Sequence, residues 1–181
     1  HAHETAGLET ELPDLAHIFV RDGHYEAWLE KQSAVDPEIA VASTDYFIIR
    51  HTGGTTGPSK GVAYTHKAWL AAGRDWFYTF PPVEPADKCL HLGPISHGSG
   101  YQYLPVWLAG GCNVMVDHFE TGETLDLMER EQINFCFMVP TMVNAVVHDE
   151  KARSRDFSAL KCLLIAAAPI QDATALAART I

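Results

Sequence analysis

Apolar and polar positions along this chain switch between two periods, and the switches predict a series of strands and helices. Residues 15–20 form a short apolar run that predicts a strand. Residues 24–33 place Tyr25, Trp28 and Leu29 on one helical face. Residues 34–44 are polar, contain Pro37 and predict a linker. The run Tyr46-Phe47-Ile48-Ile49 enters a glycine-rich stretch and Gly61-Val62-Ala63-Tyr64 leaves it, which predicts strand, loop, strand. Thr65 then precedes Trp69, Ala72, Gly73, Trp76 and Phe77, spacings of three and four that predict a capped helix ended by Pro81-Pro82 and Pro85.

The second half repeats the alternation. Residues 88–92 predict a strand, and 98–109 a helix bent at Pro105 and stopped by Gly110-Gly111. A strand follows over 112–116, then a helix over 122–132 with Thr121 as the expected cap. Residues 133–139 are almost continuously apolar, as expected of a strand covered on both faces. Pro140 marks a helix start that continues over 141–148. Residues 151–156 predict a charged surface loop, 162–167 a strand, and Pro169 the opening of the last helix. Alternation of this kind predicts an α/β fold, a mainly parallel sheet with helices on both faces.

Composition narrows the function. At 181 residues the chain is near the size of one domain, and 47% apolar residues can bury a core. A net charge of −10 argues against nucleic-acid and anionic-membrane partners. No apolar run approaches the roughly 18 residues of a membrane span. His1-Ala2-His3-Glu4 lacks signal-peptide character and reads as a frayed start or tag remnant. Cys89, Cys112, Cys136 and Cys162 lie far apart, in or beside apolar stretches, without metal-ligand spacing. Reduced, mostly buried thiols in a cytoplasmic protein, with no metal site, are expected.

The segment from Thr52 to Val62 carries the chemistry. Thr52, Gly53, Gly54, Thr55, Thr56, Gly57 and Lys60 combine close backbone access, hydroxyl donors and a compact cation. Polyphosphate is the ligand that asks for this mixture. A plain hairpin turn needs two to five residues rather than nine. The loop is not a Walker A loop, because Lys60 follows Ser59, precedes Gly61, and leads into a strand rather than a helix. The dinucleotide fingerprint is absent too.

The loop resembles the signature loop of the adenylate-forming superfamily, roughly [YF]-T-[SG]-G-T-T-G-x-P-K-G-V. Thr52 to Gly57 and Lys60 to Val62 match; His51 and Pro58-Ser59 depart. Four further segments follow in the family's order. Thr65-His66 resembles its S/T-H step, and Pro94-Ile95-Ser96-His97-Gly98-Ser99-Gly100 its P-x-x-H-x-x-G segment. Val139-Pro140-Thr141 resembles its V-P-T step. Ala166-Ala167-Ala168-Pro169 sits where G-G-A-P is usual, and the added methyls bear on pocket width there.

The resemblance implies an acyl-CoA synthetase, with residues 1–181 as part of its large N-terminal AMP-binding domain. The Y-G-x-T-E segment, the hinge, the lysine-bearing C-terminal domain and the first N-terminal segments would lie outside this sequence. The implied reaction joins a carboxylic acid to ATP with Mg²⁺, releases pyrophosphate, and passes the acyl group to CoA. Thr52, Thr55, Thr56 and Lys60 would hold the departing phosphates, and Gly53, Gly54 and Gly57 would give backbone access. His97 would line the acyl pocket as the catalytic-site residue, and Ala167, Ala168 and Pro169 would border the nucleotide.

Residues 93–100 contain no carboxylate to pair with an amino acid's ammonium, so a fatty or aryl acid is favoured. Tyr101, Tyr103 and Trp107 offer pocket aromatics, although their helical spacing is more typical of core. A non-catalytic nucleotide- or acyl-binding module and an amino-acid-activating domain remain open. A kinase-like NTPase is disfavoured by the Ser59-Lys60-Gly61 order. The isolated chain is expected to be inactive and to pair through exposed sheet edges as a homodimer.

Overall fold

A computed structural model describes residues 7–20, 23–52 and 57–181. The chain divides into two units, one ending at Ala40 and one running Val41–Ile181. The first contains two short helices, α1 (Leu8–Glu11) and α2 (Tyr25–Leu29). Residues 15–20 form no regular element, where a strand was predicted. A strand needs a neighbour to take up its N–H and C=O groups, and no described strand supplies one. The apolar side chains gather as rings instead: Phe19 packs on Trp28 at 4.6 Å between centroids, and Tyr25 lies 5.8 Å from the same indole.

The second unit opens with an antiparallel hairpin of β1 (Tyr46–His51) and β2 (Gly61–Thr65), with Arg50 opposite Val62 and His51 opposite Gly61. Helix α3 (His66–Thr79) follows at once, and the Thr65 hydroxyl accepts the Ala68 N–H at 3.2 Å, the predicted cap. Trp69, Gly73 and Trp76 are its buried line, whereas Ala72 and Phe77 are exposed. The contact stripe is therefore one residue wide rather than the broad face predicted.

Four parallel strands make the sheet, in the order β4 (Cys112–Met115), β3 (Lys88–His91), β5 (Phe135–Met138), β6 (Cys162–Ile165). Helices α4 (Gly100–Leu108), α5 (Thr121–Arg130), α6 (Pro140–His148) and α7 (Asp172–Ala177) complete the unit. Successive strand residues point to opposite faces, and the core follows that rule. Cys89 and Phe135 pack with Trp76 of α3 and Val106 of α4. Leu90, Cys136 and Met138 pack with Leu125 and Met128 of α5 and with Val143 and Val146 of α6. Helices thus cover both faces, which is why residues 133–139 read as continuously apolar. Each such buried side chain contributes about 1.5–3 kcal/mol relative to exposure. Asn134 aligns the strand starts: its side chain accepts the Lys88 N–H and donates to the Ala159 carbonyl, and its own carbonyl accepts the Cys162 N–H.

Several local expectations are corrected. The cap of α5 is Glu120, not Thr121: two carboxylate oxygens accept the Gly122 and Glu123 N–H groups, one more donor than a hydroxyl would satisfy. Those bonds hold the Glu120 carboxyl below the usual glutamate range. Helix α7 begins at Asp172 rather than at Pro169, because Ile170 first turns in to pack on the core. Residues 151–156 are anchored rather than free: Ala152 is fully buried, and Arg155 bridges Glu129 and Asp126. Cys89 and Cys136 are buried and Cys162 half-buried, but Cys112 is exposed on the outer strand β4, and all four thiols are free. Among the described residues no helix is long and apolar enough to cross a membrane.

Candidate functional site

The loop ends are held by their own polar groups. The Thr52 N–H donates to the Lys60 carbonyl at 3.0 Å, and the Thr52 hydroxyl accepts the Lys60 N–H at 3.0 Å. The Ser59 hydroxyl donates to the Thr52 carbonyl at 2.6 Å. Ser59, a departure from the family pattern, therefore closes the neck of the loop. Gly57 sits at φ +147, where a side chain would be strained. Lys60 is exposed. Gly53, Gly54, Thr55 and Thr56 lie outside the described residues.

Strand β3 ends at His91 and hands the chain to the turn carrying His97. His97 is exposed; its N–H donates to the Pro94 carbonyl and its carbonyl accepts the Gly100 N–H. The turn is tied down by a buried polar chain. His91 bonds the Ser99 hydroxyl through Nδ1 at 2.8 Å and the Asn113 side-chain oxygen through Nε2 at 2.7 Å. The Asn113 amide donates to the Tyr103 carbonyl at 3.2 Å. Asn113 presents an oxygen, so His91 carries its proton on Nε2 and accepts from Ser99 on Nδ1. Burial pushes the His91 imidazole below its ordinary pKa, with the bonds to Asn113 and Ser99 partly opposing.

Two pockets adjoin at Gly98 and Tyr101. The smaller, about 210 Å³, is lined by Arg50, Thr52, Tyr64 and His97 besides that pair. The larger, about 420 Å³, is lined mainly by rings and aliphatic groups, including Trp76, Phe80, Phe137 and Leu164, together with Ala166 and Ala167. The structure thus places Thr52 and His97 on one pocket and Ala167 on the adjoining one, although they lie far apart in sequence. Lys60, Gly57, Ala168 and Pro169 line neither pocket. Ala167 has φ +77, the left-handed conformation suited to the glycine usual at its position. Among the described residues no group of three or more His, Cys, Asp or Glu side chains comes close enough to hold a metal ion.

Sequence reasoning missed Arg50, although a cation inside the apolar run of β1 was a visible signal. It offered Tyr101, Tyr103 and Trp107 as pocket aromatics but favoured core. Tyr101 lines both pockets and Trp107 is 62% exposed, because α4 turns these positions away from the sheet.

The AMP-binding enzyme family model matches residues 3–181. Feruloyl-CoA synthase from an Amycolatopsis species is 31% identical over 140 residues, 74% of this chain and 28% of that protein. The medium/long-chain fatty-acid–CoA ligase FadD8 of Mycobacterium tuberculosis is 28% identical over 126 residues, 67% of this chain and 21% of that protein. The solved N-terminal domain of FACL13 from Mycobacterium tuberculosis superposes with a TM-score of 0.82 at 19% identity, covering 97% of this chain and 46% of that one. The chain therefore spans under a third of the length of both sequence relatives.

Proposed function

From the premise that the chain belongs to the AMP-binding enzyme family, we propose that it forms the phosphate-loop and acyl-pocket part of the large N-terminal domain of an acyl-CoA ligase. The whole protein would activate a fatty or aryl acid with ATP and transfer the acyl group to CoA. One observation carries this reading: the pocket that gathers Arg50, Thr52 and His97 opens beside a larger apolar pocket whose lining includes Ala166 and Ala167. That arrangement suits a reagent with a charged head and an apolar body.

The acid's hydrocarbon would lie among Trp76, Phe80, Phe137 and Leu164, with its carboxylate near Gly98 and His97. The triphosphate would extend toward Thr52 and Lys60. Attack of the carboxylate on the α-phosphate needs alignment and charge neutralisation more than covalent help. Mg²⁺ would arrive with the triphosphate and neutralise part of its charge. Asp75 is the one carboxylate lining the apolar pocket, and Arg74 already pairs with it at 2.8 Å. An amino-acid ammonium would have to compete with Arg74 for that carboxylate, which favours acids without an amine.

The test is isotope exchange between pyrophosphate and ATP in the full-length protein against a panel of benzoate, cinnamate, octanoate, palmitate and amino acids. The expected result is exchange dependent on an apolar acid. Exchange driven by amino acids alone, or by none of the panel, would refute the proposal.

A further inference from the structure

Arg50 poses a physical problem that the hairpin does not solve. It is only 9% exposed, and its Nε and Nη2 atoms are buried without a hydrogen-bond partner among the described residues. Three rings surround the guanidinium carbon, Trp69 at 4.5 Å, Tyr101 at 4.9 Å and Tyr64 at 5.8 Å from their centroids. Stacking satisfies the face of a guanidinium. It leaves the edge untouched, and the two orphaned atoms form one edge: the Nε–H and one Nη2–H point the same way, as a fork. A buried cation with an unpaired fork is costly unless an anion completes it.

We propose that the Nε–Nη2 edge of Arg50 is an oxyanion site serving the pocket shared with Thr52 and His97. The fork matches two oxygens of one carboxylate or one phosphoryl group, and bidentate pairing is the strong form of that bond. Arg50 shares the lining of that pocket with the Thr52 residue of the loop neck, the exposed His97 and the tyrosine pair Tyr64–Tyr101, whose hydroxyls lie 3.5 Å apart. Arg50 sits two residues before Thr52 on β1, so the strand that presents the loop also presents the fork. The aromatic cage fixes the guanidinium plane, and orientation is therefore set before any anion arrives. Two sources share this chemistry, the phosphoryl oxygens of the nucleotide and the carboxylate of the acid. The choice between them rests on the proposed function; the oxyanion site itself does not.

Isothermal titration calorimetry on the 181-residue chain tests the idea, with sodium pyrophosphate, sodium benzoate and adenosine as separate probes at constant ionic strength. Arg50→Met removes charge and fork while keeping volume, and Arg50→Lys keeps charge but not the fork. Thermal melts of each variant establish folding first. The expected result is that Arg50→Met weakens one of the two anions by about 10- to 100-fold and Arg50→Lys weakens it less. Selective loss of pyrophosphate assigns the fork to the nucleotide, and selective loss of benzoate assigns it to the acid. Unchanged affinity for both anions in folded Arg50→Met, or no anion binding by the natural chain, overturns the proposal. Should Arg50→Met not fold, anion affinity in Arg50→Lys equal to that of the natural chain overturns it equally. Adenosine that fails to bind while an anion still binds would remove the adenylate reading and leave the oxyanion site standing.

Discussion

Substituting glycines in the His97 turn should produce losses ranked by what an added methyl meets. At Gly100 an ideal Cβ would sit 1.8 Å from the Ile95 carbonyl oxygen and 2.9 Å from its carbon. Real Cβ contacts essentially never fall under 3.0 Å, so a gap of 3.0 − 1.8 = 1.2 Å must open. The obstacle is backbone, so no rotamer change relieves it. Alanine gains about 1 kcal/mol of helix propensity over glycine at the first residue of α4. Overpacking with a backbone shift costs about 1–3 kcal/mol, and a clash this deep belongs at or beyond the upper end. The net loss is about 2 kcal/mol, a fall in Tm of about 4–8 °C at roughly 2–4 °C per kcal/mol for a domain of this size. At Gly98 the added atom meets the Phe137 ring at 3.1 Å, and a ring can yield a few tenths of an ångström. Gly98→Ala should therefore cost less than about 1 kcal/mol. At Gly93 nothing lies within 4 Å, and Gly93→Ala should stay within about 0.5 kcal/mol. Thermal and urea denaturation followed by circular dichroism give the ranking. Gly100→Ala melting with the natural chain, or Gly93→Ala losing as much as Gly100→Ala, refutes the steric argument.

Three further outcomes are expected. Ala167→Gly should raise stability by about 0.5–1 kcal/mol, because φ +77 costs an alanine roughly 1–2 kcal/mol and the glycine's extra unfolded-state freedom offsets part of the gain; an unchanged or lower Tm contradicts this. Lys60→Ala in the full-length protein should slow acyl-adenylate formation about 10- to 100-fold, with thioester formation from supplied acyl-adenylate less affected; equal damage to both half-reactions, measured by single-turnover kinetics, refutes the phosphate role. His91 is held below its ordinary value, so the folded chain binds fewer protons there than the unfolded one. Its contribution is therefore complete above the unfolded value of about 6.5 and is lost as pH falls below it. Urea midpoints should drop between about pH 7 and 5, and His91→Gln should flatten that segment of the curve; an unaltered slope counts against the assignment.

The elements that the sequence revealed are those whose burial is one-sided or complete. Helix α3 announced itself through Trp69, Gly73 and Trp76, and β5 through an apolar run that both faces of the sheet demand. Residues 15–20 misled because apolarity predicts burial, not pairing, and strand pairing depends on a partner elsewhere in the chain. The Glu120 cap was hidden because glutamate is a weaker cap than threonine by statistics; only the fold shows its carboxylate reaching two N–H groups. Thr52, His97 and Ala167, singled out by motif spacing, line the two adjoining pockets. Arg50 was not singled out, since a lone cation in a strand does not reveal three rings from β2, α3 and α4 closing over it.

The convergence of motifs so distant in sequence follows from strand direction. Strands β3, β5 and β6 run parallel, so their carboxyl ends share one edge of the sheet. From that edge leave the His97 turn after β3, the Val139-Pro140 step after β5 and the 166–169 segment after β6. A crevice outside the carboxyl ends of a parallel sheet is where ligands bind in open α/β folds. Fixing that edge requires fixing the turns, and the His97 turn is fixed three ways. Ser99 is tied through His91 to Asn113 on β4, Gly100 lies against the Ile95 carbonyl, and Gly98 lies against the Phe137 ring of β5. The backbone of the turn is therefore over-determined while the His97 side chain stays exposed beside the pocket. A rigid base under an exposed imidazole suits the ligand contact proposed for His97. Loosening any one tie should then shift the position of His97 before it unfolds the chain, which makes the glycine series a test of the site as well as of the fold.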